Sequence, residues 1–349
     1  MTVEPSLRLP EEDDLPVPLT TSVAASLLST SSGKPVPASR PSAADLTSHR
    51  LLRPQASAPL DGWRSVLYRG SKGIINLGPS EAQIRQSKVL ARVKNSIADC
   101  RRVAVISRKG GIGKTTTTLM LGHTFATHRG DRVIALDANP DAGSLGYRVK
   151  RQTTATVADL LEQAKTISRY ADVRSYTSQA PTRLEVIAAA DDPRMEAVLG
   201  WSEYQAALGI LERYYNLILC DTGTGIIDDA TQGILNRADQ IVLCASASID
   251  GSRASSLTLD WLDAHSYDLL AREAVVVINA LRGSSLVQIE ELEKHFKQRC
   301  RAVVRIPHDR QLEAGAETTL DELSPSTRDA YLELAAAVAD GFVSNPIRK

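Results

Sequence analysis

The chain has 349 residues, and its 41 lysines and arginines balance 41 acidic residues. This neutrality excludes a uniformly basic nucleic-acid coat protein, and no apolar run approaches the ~20 residues that a membrane-spanning helix needs. The N-terminus lacks the charged and apolar regions of a secretory signal peptide. Four separated cysteines with no C-x-x-C pair indicate reduced thiols, so we expect a cytoplasmic protein without an integral membrane segment.

The first segment, residues 1–62, is rich in proline and serine. It contains more than half of the 16 prolines and an acidic run at residues 11–14, without an apolar period of a helix or strand. Such a composition does not bury enough apolar surface to offset the entropy of ordering, so we predict a disordered leader. We favour a tether, and a docking tail stays as the alternative.

Residues 63–101 form a basic extension that we expect to be helical. Pro79 precedes Ser80, which is predicted to cap a helix together with Gln83. A narrow stripe of Val89, Val93 and Ile97 follows at helical spacing, and we expect it to pack on its own domain. Binding to a membrane surface or an acidic partner is the alternative, because residues 63–102 carry a large excess of positive charge. Their only acidic residues are Glu81 and Asp99, and their nine basic residues are Arg64, Arg69, Lys72, Arg85, Lys88, Arg92, Lys94, Arg101 and Arg102.

Residues 102–345 alternate short apolar runs with helical stretches. This order predicts an α/β domain with a mostly parallel sheet of about seven or eight strands and helices on both faces. Ligands of such sheets bind at the carboxyl ends of the strands. The predicted strands are residues 103–107, 133–137, 184–188, 217–221, 240–245, 274–279 and 302–306.

A glycine-rich loop follows the first predicted strand of this domain. Residues 108–116 read R-K-G-G-I-G-K-T-T and lead into a helix, which is the arrangement that cradles phosphate oxygens. Lys114 is predicted to reach the β- and γ-phosphates and Thr115 to bind Mg²⁺. Arg108 stands where the strict P-loop pattern has glycine. The predicted nucleotide-binding residues of the loop are Lys109, Gly110, Gly111, Ile112, Gly113, Lys114, Thr115 and Thr116.

The run K-G-G-I-G-K-T-T resembles the deviant phosphate loop of MinD/ParA-family P-loop ATPases, and the resemblance extends over about residues 102–345. It implies that ATP and Mg²⁺ are the ligands. It also implies that Lys109 crosses a dimer interface to touch phosphates bound by the partner subunit, in an ATP-dependent homodimer.

Within this resemblance, two strand ends carry further catalytic candidates beside Lys109 and Lys114. Asp137 and Asp221 are predicted to hold Mg²⁺ together with Thr115, and Asp221 ends the Walker B strand. Family members usually have aspartate where this chain has Asn139. An amide orients water but takes no proton, so we predict a slow ATPase. The alternative is that Asp141 supplies the missing carboxylate.

Two later segments match the base-binding side of the family's cleft. Asn279 ends a predicted strand at the place of the family's adenine-binding asparagine. The turn I-P-H-D at residues 306–309 matches the family's I-P-x-D turn, so Pro307 and Asp309 are predicted to lie beside the base.

Beyond the ATPase motifs, the chain resembles actinobacterial MinD-like ATPases associated with type VII (ESX) secretion. The similar stretches include G-W-R at residues 62–64, I-N-L-G at residues 75–78 and L-D-W-L at residues 259–262. This resemblance implies an ATP-dependent dimerisation switch that binds a secretion-machinery protein. The alternatives are a partition ATPase that binds DNA nonspecifically, which is possible but not favoured, and a nucleotide-binding scaffold with negligible turnover.

Overall fold

The computed structural model describes residues 63–71, 74, 76–139, 143–189, 199–280 and 287–344. The predicted disordered leader, residues 1–62, lies outside these ranges. Among the described residues, no helix combines the length and apolar character needed to cross a membrane.

Eight strands of the described chain form one sheet, in agreement with the predicted α/β class. Their spatial order is β3-β4-β2-β5-β1-β6-β7-β8, and every neighbouring pair is parallel except β3 with β4. The strands are β1 (Arg101–Ile106), β2 (Val133–Ala138), β3 (Ser178–Gln179), β4 (Glu185–Ile187), β5 (Leu217–Thr222), β6 (Gln240–Ser246), β7 (Val275–Asn279) and β8 (Ala302–Ile306).

Helices connect most of these strands. Two short 3-10 turns, Leu145–Tyr147 and Leu320–Glu322, accompany them. The helices are α1 (Trp63–Gly70), α2 (Glu81–Val93), α3 (Lys114–His128), α4 (Val157–Glu162), α5 (Tyr170–Arg174), α6 (Trp201–Leu211), α7 (Asp229–Arg237), α8 (Ile249–Ala264), α9 (Asp268–Arg272), α10 (Ile289–Lys297), α11 (Arg310–Glu313) and α12 (Pro325–Ser344).

The sheet is covered on both faces, as the near-continuous apolar strands predict. Side chains alternate between two cores along each central strand: in β1, Ala104 and Ile106 face one core, whereas Val103 and Val105 face the other. Helices α6 to α10 pack against the first core, and α2, α3 and α12 against the second. This layering brings the carboxyl ends of β1, β2, β5 and β7 to one edge, where the site is built.

The basic extension contributes α2 to this structure. Ser80 and Gln83 form the predicted capping box, and Val93 is fully buried while Val89 and Ile97 are partly buried in the same core. Helix α2 lies along α12, where Arg92 Nη2 is 2.7 Å from Asp340 Oδ2. Helix α2 ends at Val93, so Ile97 of the predicted helical stripe lies beyond the helix, but all three apolar side chains pack on their own domain.

Candidate nucleotide-binding site

The glycine-rich loop starts directly at the end of β1. Ser107 Oγ donates to the carbonyl of Lys109 over 3.0 Å, which turns the chain out of the strand. Gly111 and Gly113 have φ of 72° and 87°, in the left-handed region that disfavours side chains. A Cβ on Gly113 would also lie 2.8 Å from Asn279 Nδ2. The second half of the loop therefore requires glycine for both conformation and space.

Helix α3 begins at Lys114 with its first turn open to the cleft. Its N-cap residue, Gly113, has no side chain to bond the first backbone N–H groups. Those groups and the positive end of the helix dipole attract anions. Thr115 and Thr116 add hydroxyls on the same first turn. The loop and helix together form a cradle for phosphate groups.

Lys114 connects the loop to the Walker B strand. Its Nζ donates to the carbonyl of Thr222 and lies 3.5 Å from Asp221 Oδ1. Thr118 Oγ1 donates to the same carboxylate oxygen over 3.2 Å. The Lys114 and Asp221 side chains are only 10% and 2% exposed, so this pair lies at the base of the cleft.

Two buried carboxylates stand side by side at the strand ends. Asp137 of β2 is directly opposite Asp221 of β5 in the parallel register. The Asp137 carboxylate accepts the backbone N–H groups of Asn139 and Leu145 over 3.3 and 3.0 Å. Burial and the Asp221 charge raise the pKa of Asp137 well above its usual value. Paired buried carboxylates near a phosphate cradle favour a divalent cation, so the donor set of Thr115, Asp137 and Asp221 fits Mg²⁺.

Asn139 is half-buried and lines the cleft, two residues beyond the Asp137 carboxylate. Its neutral amide adds no negative charge there. Asp141, the alternative source of a carboxylate, lies outside the described residues.

The cleft between these elements has a volume of about 610 Å³. Asp137 and Asp221 are buried beneath it and are not among its lining residues. The lining comprises residues 109–116, Asn139, Ser144, Arg148, Thr224, Asn279, Ala280, residues 306–309, Leu312, Glu313, Gly315 and Tyr331.

The predicted base-binding residues meet the phosphate loop at the other side of this cleft. Asn279 Nδ2 donates to the carbonyl of Ile112 over 2.6 Å, so β7 is tied to the loop. Pro307 lines the cleft. The Asp309 carboxylate instead accepts the backbone N–H groups of Gln311 and Ser324, over 3.1 and 2.9 Å. Asp309 thus lines the cleft, but its carboxylate is used to hold the turn together.

One charged residue of the cleft carried no signal in the sequence. Arg148 follows the 3-10 turn Leu145–Tyr147, and its Nη1 donates to Thr116 Oγ1 over 3.0 Å. The two residues are 32 positions apart, and Arg148 belongs to none of the motifs identified in the sequence. The fold brings Arg148 to the phosphate cradle.

Comparison with known proteins agrees with this geometry. Residues 103–320 match the model of the CobQ/CobB/MinD/ParA nucleotide binding domain. The ESX-1 secretion-associated protein EspI of Mycobacterium tuberculosis (strain CDC 1551 / Oshkosh) is 40% identical over 284 residues, which cover 80% of this chain and 42% of that relative. The chain thus spans about two fifths of the length of this relative.

Solved structures share the fold at low sequence identity. A ParA family ATPase from Chlorobium tepidum TLS has a TM-score of 0.58 and 17% identity, covering 68% of this chain and 98% of its own. The septum site-determining protein MinD from Pyrococcus horikoshii OT3, solved with Mg-ADP, has a TM-score of 0.55 and 17% identity, covering 68% and 94%. Since the domain model covers more than half of the chain, this protein belongs to the CobQ/CobB/MinD/ParA nucleotide-binding domain family, with MinD/ParA-type P-loop ATPases as its structural neighbours.

Proposed function

We propose that the protein binds ATP and hydrolyses it slowly, and that it dimerises when ATP is bound. The observation that carries this proposal is the convergence of the phosphate cradle, the buried Asp137–Asp221 pair and the turn at residues 306–309 on one cleft. A Mg²⁺ ion held by Thr115, Asp137 and Asp221 would neutralise phosphate charge. The Mg-ADP of the MinD relative supports the same ligand class here.

The side chains divide the work of binding and hydrolysis. Lys114 supplies a positive charge for the β- and γ-phosphates. When nucleotide binds, its ammonium group leaves the Thr222 carbonyl and the Asp221 carboxylate and contacts the phosphates instead. Asn139 orients the attacking water by hydrogen bonding but takes no proton from it. Slow turnover leaves the ATP-bound state long-lived, which suits a switch better than a metabolic enzyme.

Lys109 is the residue that links ATP binding to dimerisation in this proposal. It is half-buried on the cleft, and no hydrogen-bond or ion-pair partner is present for its ammonium group among the described residues. A second subunit can provide that partner through its bound phosphates. ATP then shifts the equilibrium toward the dimer by its extra affinity for that state.

The test is Lys109→Ala, examined by light scattering with a non-hydrolysable ATP analogue. We expect the wild type to dimerise and the variant to stay monomeric while still binding nucleotide, because only contacts to the partner subunit are lost. Arg108→Ala is the matched control, since Arg108 is the exposed neighbouring cation and should leave dimerisation intact. Dimers of the Lys109 variant at wild-type concentrations would contradict the proposal.

We further propose that the ATP-bound dimer acts in the cytoplasm on a protein of a type VII secretion machinery. The support is the similarity to EspI, which covers 80% of the chain and therefore includes much more than the nucleotide-binding motifs. The competing proposal is a ParA-type ATPase that binds DNA nonspecifically. It requires exposed cations of the basic extension, such as Arg85 and Lys88, to contact DNA phosphates.

A further inference from the structure

Arg148 is a cation held at the phosphate cradle by two neighbouring elements. Its backbone N–H donates to the carbonyl of Leu145 over 3.1 Å, which closes the 3-10 turn. Its guanidinium reaches the first turn of α3, where Nη1 lies 3.0 Å from Thr116 Oγ1. Arg148 is half-buried and lines the 610 Å³ cleft. The side chain is thus fixed in place at the rim of the proposed nucleotide site.

This guanidinium has no carboxylate within ion-pairing distance among the residues that the structure describes. Asp221 is engaged by Lys114 and Thr118, and Glu313, which lines the same cleft, lies 3.4 Å from His308 Nε2. Burial lowers the pKa of Arg148 from its usual value. A partly desolvated cation is costly in the free protein. The Asp221 carboxylate attracts Arg148 from beyond ion-pairing distance, and an anionic ligand in direct contact would reduce the remaining cost.

A glycine of the following loop lies close to the Arg148 guanidinium. Gly315 has φ of 63°, and a Cβ there would lie 3.4 Å from Arg148 Nη2. The loop after α11 therefore approaches the guanidinium with backbone alone. Because Nη1 is engaged by a neutral hydroxyl, the remaining N–H groups of the planar fork stay available to oxygen acceptors.

We infer that Arg148 is a nucleotide-binding residue whose guanidinium pairs with a phosphate of the bound nucleotide beside Thr116. This inference rests on the proposed nucleotide binding. Thr116 lies on the first turn of α3, whose free N–H groups attract the same phosphates, so the arginine adds a fixed charge to that cradle. It acts within one subunit, unlike Lys109.

The same turn also connects this cation to the proposed metal site. Leu145 N–H donates to Asp137 Oδ2 over 3.0 Å, and the Leu145 carbonyl accepts the Arg148 N–H at the other end of the turn. The turn thus links the Asp137 carboxylate to the backbone of Arg148 through two hydrogen bonds.

Arg148→Met and Arg148→Lys test this assignment in the full chain. We expect Arg148→Met to weaken ADP binding, measured by calorimetry with Mg²⁺, by roughly 10- to 100-fold, as for loss of a charge-assisted hydrogen bond. Arg148→Lys should recover part of the affinity, since it keeps the charge but not the fork. Without nucleotide, the unfolding midpoint of Arg148→Met should stay close to that of the wild type, because the desolvation cost that is relieved and the Asp221 attraction that is lost oppose each other.

Arg151→Met is the control, because Arg151 is an exposed arginine on the same segment. ADP affinity of Arg148→Met within twofold of wild type would overturn the inference. So would a lowered unfolding midpoint without nucleotide together with no rescue by lysine, which indicates a purely structural arginine. A wild-type chain that binds neither ADP nor ATP would instead refute the proposed function itself, and the inference with it.

Discussion

Asn139 places an amide two residues beyond the Asp137 carboxylate, on the surface of the cleft. An amide holds a water molecule through hydrogen bonds but neither accepts its proton nor adds negative charge. In the proposed mechanism, an amide in place of a carboxylate slows the attack of water, so the nucleotide-bound state persists.

Asn139→Asp should therefore raise ATP turnover by at least about tenfold, since a positioned general base contributes to the rate of water attack. Phosphate release by the purified full chain measures it. Ser144→Asp is the control. Ser144 lines the same cleft, so this variant adds the same negative charge at a position other than that of Asn139. Unchanged or slower turnover in Asn139→Asp would instead favour Asp141 as the residue that polarises water.

The residues of the phosphate cradle could be predicted because each belongs to a motif of fixed spacing. Residues 109–116 lie together on the cleft, and Asp137 and Asp221 lie beneath it as neighbours in the sheet register. Arg148 could not be predicted, because its contact with Thr116 depends on the path of the chain between β2 and β4. Nor does sequence reveal that the carboxylate of Asp309 is already occupied by two backbone N–H groups.

At the scale of elements, α2 shows what local patterns can and cannot establish. Its capping box and buried Val93 follow from residues close together in sequence. Its partner on α12 does not: Arg92 Nη2 contacts Asp340 at 2.7 Å and Arg92 Nη1 contacts Glu333 at 3.3 Å, far along the chain. Strand β3, which was not among the predicted strands, has two residues and pairs antiparallel with β4, so it is too short to show a period.

Two substitutions in α2 should separate packing from charge. Val93→Ala should lower the free energy of unfolding by about 2 kcal/mol, because Val93 is fully buried. Arg92→Met should lower it by about 1 kcal/mol or less at low salt and by less at high salt, since the ion pairs are partly exposed. Urea unfolding at two salt concentrations measures both.

Arg85→Met is the control for Arg92→Met, as Arg85 is exposed and has no ion-pair partner among the described residues. An Arg92 variant that loses more stability than Val93→Ala would show that charge, not apolar packing, holds α2 on the domain.

At the scale of the whole molecule, the neutral net charge is an average over unlike segments. Part of the positive charge of residues 63–102 already has partners within the domain. Arg101 donates a hydrogen bond to the Phe342 carbonyl, and Arg102 forms ion pairs with Glu212 and Asp239. With Arg92 also paired, fewer cations remain for DNA than the sequence suggests. This weakens the case for a nonspecific DNA-binding protein, which needs several phosphate contacts.

Capture from the native host, using protein loaded with a non-hydrolysable ATP analogue, distinguishes the two roles. We expect type VII secretion components to be retained after nuclease treatment and lost with Lys109→Ala, because in the proposed function only the ATP-bound dimer binds the partner. Chromosomal DNA that is captured instead, and lost with an Arg85→Ala/Lys88→Ala variant, would favour the partition role.

The outer strands of the sheet affect whether another chain can add a strand to it. β3 at one edge has two residues, and β8 at the other presents an exposed Arg305 that pairs with Glu293 and, at 3.2 Å, with Glu290. Short or charged edge strands resist the addition of a further strand from another chain. Edge-to-edge addition of strands between copies of this chain is thereby disfavoured.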